Sequence, residues 1–289
     1  MPGGSSPLPT QRELGLGSAV VGFQGEPGAY SEEAALALFP DADTLGHPSF
    51  THVFDALAGS GLGAAVLPVE NSLAGIVQEP NDLLWQRPGL RVRGEYVHPI
   101  RHCLMGGEGE VRRALSQPIA LAQCRLYLEA QGIELVPFHD TAGSARHVSQ
   151  SPEPGLAAIA SAAAARRYGL RILAENIQND PSNRTRFLVV DRGLPARPGT
   201  AQPGWKASLA FIAAHRPGSL VTALTAFSSR GVNLTRLDSR PLPDRPFEYL
   251  FYVDFEIGDA AAAESALLEL EGEVASLKLF GTYPAAPPV

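Results

Sequence analysis

Glu70, Asn71 and Ser72 stand together in the stretch AAVLPVENSLAG, residues 64–75. An apolar run of strand character stops at Pro68, resumes with Val69, and turns polar at these three positions. A carboxylate, an amide that donates and accepts, and a hydroxyl at the carboxyl end of a buried strand make a candidate floor for a ligand site. The same residues also read as a helix start, with Asn71 and Ser72 as caps and Glu70 at the positive helix end.

Three more polar groups sit at expected element ends, where side chains can face a cleft. They are Ser116 with Gln123, the run Asp140-Thr141-Ala142, and the run Asn183-Arg184-Thr185-Arg186-Phe187. Thr185 leads into the apolar run 187–190, so it either opens a strand or offers its hydroxyl to a ligand. Asp140 and Thr141 serve equally as a helix cap. Arg184 and Arg186 are either solvated or hold a carboxylate through the planar guanidinium fork. Upstream, Gly25, Pro27 and Gly28 form a turn before Ser31, Glu32 and Glu33, and backbone N–H groups at such a helix start can hold an anion. The spacing is neither GxGxxG nor GxxxxGK[ST], which argues against a nucleotide site. His98 and His102 lie four apart beside Cys103, but Pro99 between them opposes a helix and no zinc-type spacing follows. Cys103 and Cys124 lie in apolar or helical contexts, where packing is the default role.

The chain has 289 residues, enough for roughly two domains. A hydrophobic content of 45% and a charged content of 18% describe a folded protein. A net charge of -7 without a Lys/Arg block excludes an electrostatic case for nucleic acid or anionic lipid. Two cysteines do not make a disulfide scaffold. The first seventeen residues lack the apolar core of a signal peptide, and no run has the ~18–20 apolar residues that cross a bilayer. The expectation is a soluble cytoplasmic protein.

Strand and helix signals alternate up to residue 190. Strands are expected at 19–23, 64–67, 90–97, 102–105, 133–137, 156–159 and 187–190. Helices are expected from Ser31, at 50–58, 108–115, 141–149 and 161–168, with a strand-turn-helix signal over 118–131. This alternation implies parallel sheets with helices on both faces and two α/β lobes. Residues 193–204, rich in Pro and Gly, read as a linker. Beyond it come strand 206–213, helix 219–230, strands 232–237 and 247–256, helix 260–270 and strand 276–283. That order, βαββαβ, is the ferredoxin-like arrangement.

Taken together, the pieces GEPGAYSEEA, LPVENSLAG, SQPIALAQC, DTAGSA and NRTRFLVV resemble, in order and spacing, the prephenate dehydratase family. PGSLVTAL followed by NLTRLDSRP is similar to the ACT regulatory domain of that family. The resemblance implies a two-lobed, periplasmic-binding-protein-like (type II) catalytic domain over 18–192, after a tail at 1–17. A linker at 193–204 and a ferredoxin-like ACT domain at 205–284 would follow. It implies conversion of prephenate to phenylpyruvate, carbon dioxide and water, in phenylalanine synthesis, with feedback by phenylalanine. No cofactor or metal is implied, and a homodimer or homotetramer is. Arogenate dehydratases are similar enough that arogenate stands as the alternative substrate. A non-catalytic solute-binding or amino-acid-sensing protein is the alternative of another class.

By that resemblance Thr185 stands at the leaving hydroxyl as a hydrogen-bond donor. Glu70 is the nearby carboxyl, either ionised to orient a partner or protonated by burial to supply the proton. Asn71, Ser72, Ser116 and Gln123 line the site, and Arg186 and Phe187 complete the motif. Thr141, Ala142 and backbone donors near Gly28, Ala29, Tyr30 and Ser144 hold the substrate's carboxylates. Phenylalanine would bind near Gly218, Ser219, Leu220, Asn233 and Leu234, with Asp238, Ser239, Arg240 and Pro241 as the second motif. The chain departs from the family in Gln117 for His, Ile119 for Gln, Ser219 for Ala and Asp238 for Glu.

Overall fold

A computed structural model describes residues 20–151, 153–242 and 245–287, with the side chains of 246 and 247 undescribed. The expected tail at 1–17 and the first residue of the expected strand at 19–23 lie outside these residues. The first half of the chain gives β1 (Val21–Gln24), α1 (Tyr30–Leu38), β2 (Thr44–His47), α2 (Phe50–Ala58), β3 (Ala64–Asn71), β4 (Gly75–Ile76), α3 (Gln78–Gln86), β5 (Leu90–Pro99) and β6 (Cys103–Gly106). Next come β7 (Arg113–Ser116), α4 (Pro118–Gln123), α5 (Arg125–Ala130), β8 (Glu134–Pro137), α6 (Thr141–Gln150), β9 (Leu156–Ala160), α7 (Ala162–Tyr168), β10 (Arg171–Ala174) and β11 (Arg184–Arg192). The last part holds a 3₁₀ turn (Pro198–Thr200), β12 (Trp205–Ala213), α8 (Ser219–Ser228), β13 (Leu234–Leu242), β14 (Arg245–Ile257), α9 (Ala260–Glu273) and β15 (Val274–Pro284).

The described residues fall into two compact units: residues up to 80 with 96–187, and residues 81–95 with 188 onward. Strands β5 and β11 run through the division.

In the first unit, one sheet has the order β2-β1-β3-β11-β5, with β4 paired antiparallel to β3. A second sheet has the order β10-β6-β9-β7-β8. Along β9 the side chains alternate, as a pleat requires. Leu156, Ala158 and Ala160 join the core under α6 and α7, whereas Ala157 and Ile159 join the one under α4 and α5. Helices therefore cover both faces of this sheet, as expected. The sheet is not all parallel: β6 runs antiparallel to β9 and β10.

Four local expectations are corrected. β3 does not stop at Pro68 but runs to Asn71; β1 registers with it only at Ala64 and Ala65, so Pro68 lies beyond that pairing. No helix begins at Asn71 or Ser72, which removes the capping alternative for these residues. Arg113–Ser116 is a strand, not the end of a helix at 108–115, because it pairs with β8 and β9 on either side. The segment 118–131 holds two short helices and no strand, with Pro118 at the first position of α4, where its missing N–H does no harm. Helix α3 was not expected; Pro80 in its first turn masks it.

In the other unit, β12 to β15 form an antiparallel sheet of order β13-β14-β12-β15, the ferredoxin-like topology. One face packs Leu209, Phe211, Val253 and Phe255 against Ala223, Phe227 and Leu267 of α8 and α9. Each large side chain so buried contributes roughly 1.5–3 kcal/mol. Three strands of the same sheet also hold α3. Arg236 donates to Asn81 Oδ1 at 3.1 Å, and Tyr252 donates to Asp82 Oδ1 at 2.9 Å. Arg240 pairs with Asp82 Oδ2 at 2.6 Å. Lys278 Nζ reaches the Leu84, Trp85 and Arg87 carbonyls at the helix C-terminus, and burial pulls its pKa down to about 8. The Pro/Gly-rich stretch 193–204 is fastened as well. Arg197 pairs with Glu264 and Glu271 of α9, and Gly199 N–H donates to Glu264.

Candidate active site

The polar end of β3 and the start of β11 are neighbours in one sheet, and their side chains alternate across it. Asn71 shares a face with Asn183 and Thr185. Its Nδ2 lies 2.8 Å from Asn183 Oδ1, 3.0 Å from the Arg184 carbonyl and 3.0 Å from Thr185 Oγ1. Its Oδ1 accepts the N–H groups of Leu73 at 3.0 Å and Ala74 at 2.8 Å, closing the turn into β4. Thr185 Oγ1 therefore accepts from Asn71, and its own hydrogen remains to be given. Ser72 ties the two strands: its N–H donates to the Arg184 carbonyl, and its Oγ accepts the Arg184 N–H at 3.0 Å.

Glu70 belongs to the other face. Its Oε2 stands 3.3 Å from Arg186 Nε, with the Glu70 side chain 41% exposed and that of Arg186 only 11%. The burial that a protonated Glu70 would require is not found at this half-exposed side chain. Phe187 is buried, edge-on to the His98 ring.

Gln123, last residue of α4, joins the Asn71 group. Its Oε1 accepts from Asn183 Nδ2 at 3.0 Å and faces His102 Nε2 at 2.9 Å. The sequence offers His102 only as an unsupported metal ligand, yet it is buried inside this network. Its signal was a lone imidazole at the mouth of the apolar run CLM. Tyr30 Oη stands 2.9 Å from His102 Nδ1 and 2.9 Å from the Arg101 carbonyl. Burial, opposed by the Gln123 contact, holds the His102 pKa below the usual value. Burial and then Glu33 push the Tyr30 phenol well up. Tyr30, Glu33, His98 and Arg101 line a cavity of about 320 Å³. There Glu33 pairs with His98 at 3.0 Å; burial raises the Glu33 pKa, but hydrogen bonds from His98 and Ser161 outweigh it and the net shift is downward.

The remaining expected residues stand elsewhere. Ser116 is fully buried and donates to the Ile159 carbonyl at 2.6 Å, outside the Asn71 network. Ala142 is fully buried in the core beneath α6, and the Thr141 carbonyl accepts from the Ser144 hydroxyl. The start of α6 is capped by Asp140, which accepts the Gly143 N–H. Gly28 N–H is occupied by Glu32 Oε2 at 2.6 Å, and its carbonyl accepts from Ser161. A Cβ on Gly28 would stand 2.7 Å from Ala164 Cα, so glycine here permits close approach to α7. Ala29 precedes α1 as its N-cap. Burial raises the Cys103 thiol and pushes Cys124 up to about 12, which suits packing groups. No cluster of three or more metal-binding side chains occurs among the described residues. No helix among them is long and apolar enough to cross a membrane.

The expected effector residues divide. Gly218, Ser219 and Leu220 line a cavity of about 470 Å³ with His215, Glu248 and Tyr249. Asn233 instead bonds Glu256, Asp238 bonds Arg236, and Arg240 bonds Asp82. Leu234, Ser239 and Pro241 lie on β13, Ser239 and Pro241 on its exposed side.

A family model described as prephenate dehydratase matches residues 21–194. Arogenate dehydratase/prephenate dehydratase 1, chloroplastic, of Arabidopsis thaliana is 41% identical over 283 residues, covering 91% of this chain and 71% of the relative. Arogenate dehydratase 2 of Petunia hybrida is 40% identical over 284 residues, covering 92% and 71%. Among solved structures, the prephenate dehydratase of Arthrobacter aurescens in complex with L-Phe is 30% identical with a TM-score of 0.82, covering 93% of this chain and 92% of that one. GqqA, described as a novel type of quorum quenching acylase, is 35% identical with a TM-score of 0.83, covering 93% and 98%.

Proposed function

Since this chain belongs to the prephenate dehydratase family, we propose that it converts prephenate to phenylpyruvate, carbon dioxide and water, as a step of phenylalanine synthesis. The observation that carries the reading is the bond from Asn71 Nδ2 to Thr185 Oγ1 at 3.0 Å. The bond leaves the threonine hydrogen free for a departing hydroxide. In the reaction the bond to the ring carboxylate breaks and its electron pair enters the ring. The carbon–oxygen bond opposite breaks with its electron pair on oxygen, and the departing hydroxide takes one proton from solvent to become water. A threonine is too weak an acid to surrender that proton itself. Its contribution is a hydrogen bond that strengthens as charge builds on the leaving oxygen, an effect worth about 10²–10³ in rate for one such donor. Glu70, half-exposed beside Arg186, serves as an ion-pair partner for that guanidinium.

The substrate's two carboxylates need donors, and the assignment of Ser72, Thr141, Arg186 and the turn at Ala29 and Tyr30 to them stays a proposal, whereas Ala142, fully buried, and Gly28, whose N–H is taken by Glu32, do not fit it. So does the role of Ser116. Arogenate is the second reading, favoured by the Arabidopsis and Petunia relatives named for it. The two substrates differ by a keto against an amino group. Purified protein given each in turn, without added cofactor, decides between them by the product formed. Turnover of neither removes the dehydratase reading.

The ferredoxin-like domain is proposed as an ACT domain that senses phenylalanine, supported by the Arthrobacter relative's complex with L-Phe. The cavity beside Gly218 is the proposed effector site, its helix-start N–H groups meeting the carboxylate. Assembly as a homodimer or homotetramer belongs to the same proposal, as does the division into catalytic domain, linker and regulatory domain at 18–192, 193–204 and 205–284.

A further inference from the structure

Thr185 assists a leaving hydroxide only while its hydrogen is not claimed by a neighbour, and that depends on which way the amides around it face. The directions follow outward from groups that cannot turn over. The backbone N–H groups of Leu73 and Ala74 both end on one terminal atom of Asn71, which must therefore be oxygen. The other is the amino group, facing Asn183 Oδ1. Asn183 then turns its own amino group to Gln123 Oε1 at 3.0 Å. Gln123 Oε1 lies 2.9 Å from His102 Nε2, so that ring nitrogen must carry a hydrogen. Tyr30 Oη stands at Nδ1, the ring's other edge.

Resting on the dehydratase reading, we propose that His102 is a positioning residue for Thr185. Gln123 Oε1 requires the Nε2–H tautomer, whose bare Nδ1 shares the single Tyr30 hydrogen with the Arg101 carbonyl. That Nε2–H holds Gln123 and Asn183 in the orientation that leaves Asn71 Nδ2 unopposed as donor to the threonine. The opposite tautomer shows why this matters. A lone pair on Nε2 would face Gln123 Oε1, acceptor against acceptor. Gln123 would turn over and set its amino group against that of Asn183. Asn183 would turn in response and set its amino group against Asn71 Nδ2. The conflict would end at the one bond that leaves the Thr185 hydrogen free. Burial of the ring, which disfavours its charged form, keeps Nδ1 an acceptor for Tyr30.

The test combines spectroscopy and kinetics. In ¹⁵N-labelled protein the His102 ring is assigned as the resonance lost in His102→Gln, and neutral Nε2–H is expected at neutral pH. An Nδ1–H ring or an imidazolium there overturns the proposal. Glutamine carries an amide N–H to about where Nε2 stood, so His102→Gln is expected to keep most of kcat. His102→Leu removes the donor and is expected to lower kcat about 10-fold or more at unchanged KM, the scale of a small misplacement. Undiminished kcat in the leucine variant, or equal loss in both, overturns the positioning role. If leucine prevents folding, His102→Asn replaces it, its shorter amide reaching only toward the Nδ1 position. Failure of the wild type to turn over prephenate or arogenate sinks the dehydratase reading separately, and the tautomer measurement still stands.

Discussion

Asn71 and Thr185, 114 residues apart in sequence, meet at 3.0 Å with the amide as donor and the hydroxyl as acceptor. This polarity predicts a sharp difference between two threonine substitutions. Thr185→Val, which keeps the shape and removes the donor, should lower kcat about 10²–10³-fold. Thr185→Ser should keep most of the rate. Steady-state kinetics on whichever substrate the wild type turns over measures both, and a near-normal valine variant would take Thr185 out of the mechanism.

Replacing the amide reverses the polarity. Asn71→Asp puts an acceptor where the donor was, and the Thr185 hydrogen turns to it instead of to the substrate. Loss of kcat comparable with Thr185→Val is expected, with little change in the far-ultraviolet spectrum.

Glu70 provides the contrast. With 41% of its side chain exposed and Arg186 as its partner, Glu70→Gln should cost under about 1 kcal/mol of stability and leave the pH dependence of kcat in place. Disappearance of an acid or alkaline limb from that profile would make Glu70 a proton donor after all.

The depressed pKa of His102 has a consequence for stability. An unfolded histidine takes its proton near pH ~6.5. The folded ring, desolvated, takes it only at lower pH. Between those values the unfolded chain binds more protons, so the unfolding free energy falls as pH falls. Urea titrations from neutral to acid pH should show the fall, and His102→Gln should flatten it. An unchanged slope in the variant would assign the titration to other groups, such as Glu33, whose pKa is held down by its hydrogen bonds against the effect of burial.

Lys278 is expected to matter through α3. Lys278→Met leaves the carbonyls of Leu84, Trp85 and Arg87 without their cationic donor, a loss of about 1–3 kcal/mol. Thermal unfolding detects it as a lowered midpoint. No change would mean that water replaces the ammonium at no cost.

Much of the architecture was legible because local signals and tertiary demands agreed. Phe50–Ala58 carries its cap at Ser49, the Ala-rich helix ends at Gly169, and the βαββαβ order needs only counting. Where they disagreed, the sequence misled. Arg113–Ser116 has no strong strand pattern of its own and becomes a strand because β8 and β9 flank it. The site was legible as a set of polar clusters but not as a network. Asn71, Gln123 and Thr185 come together, whereas Ser116 turns inward to a carbonyl. The place of His102 in the network was not legible because it depends on neighbours twenty or more positions away, at Gln123 and Tyr30.

The alternation of Glu70 and Asn71 on β3 also bears on how this chain can vary. The loss or gain of one residue within β3 would slide the strand by a single step against β11 and exchange its two faces. The carboxylate would then face the threonine and claim its hydrogen, while the amide would meet Arg186, a cation it cannot neutralise. The turn after Asn71 is held by its side-chain oxygen, so length can change only farther along the chain, and the two strands admit no change in count.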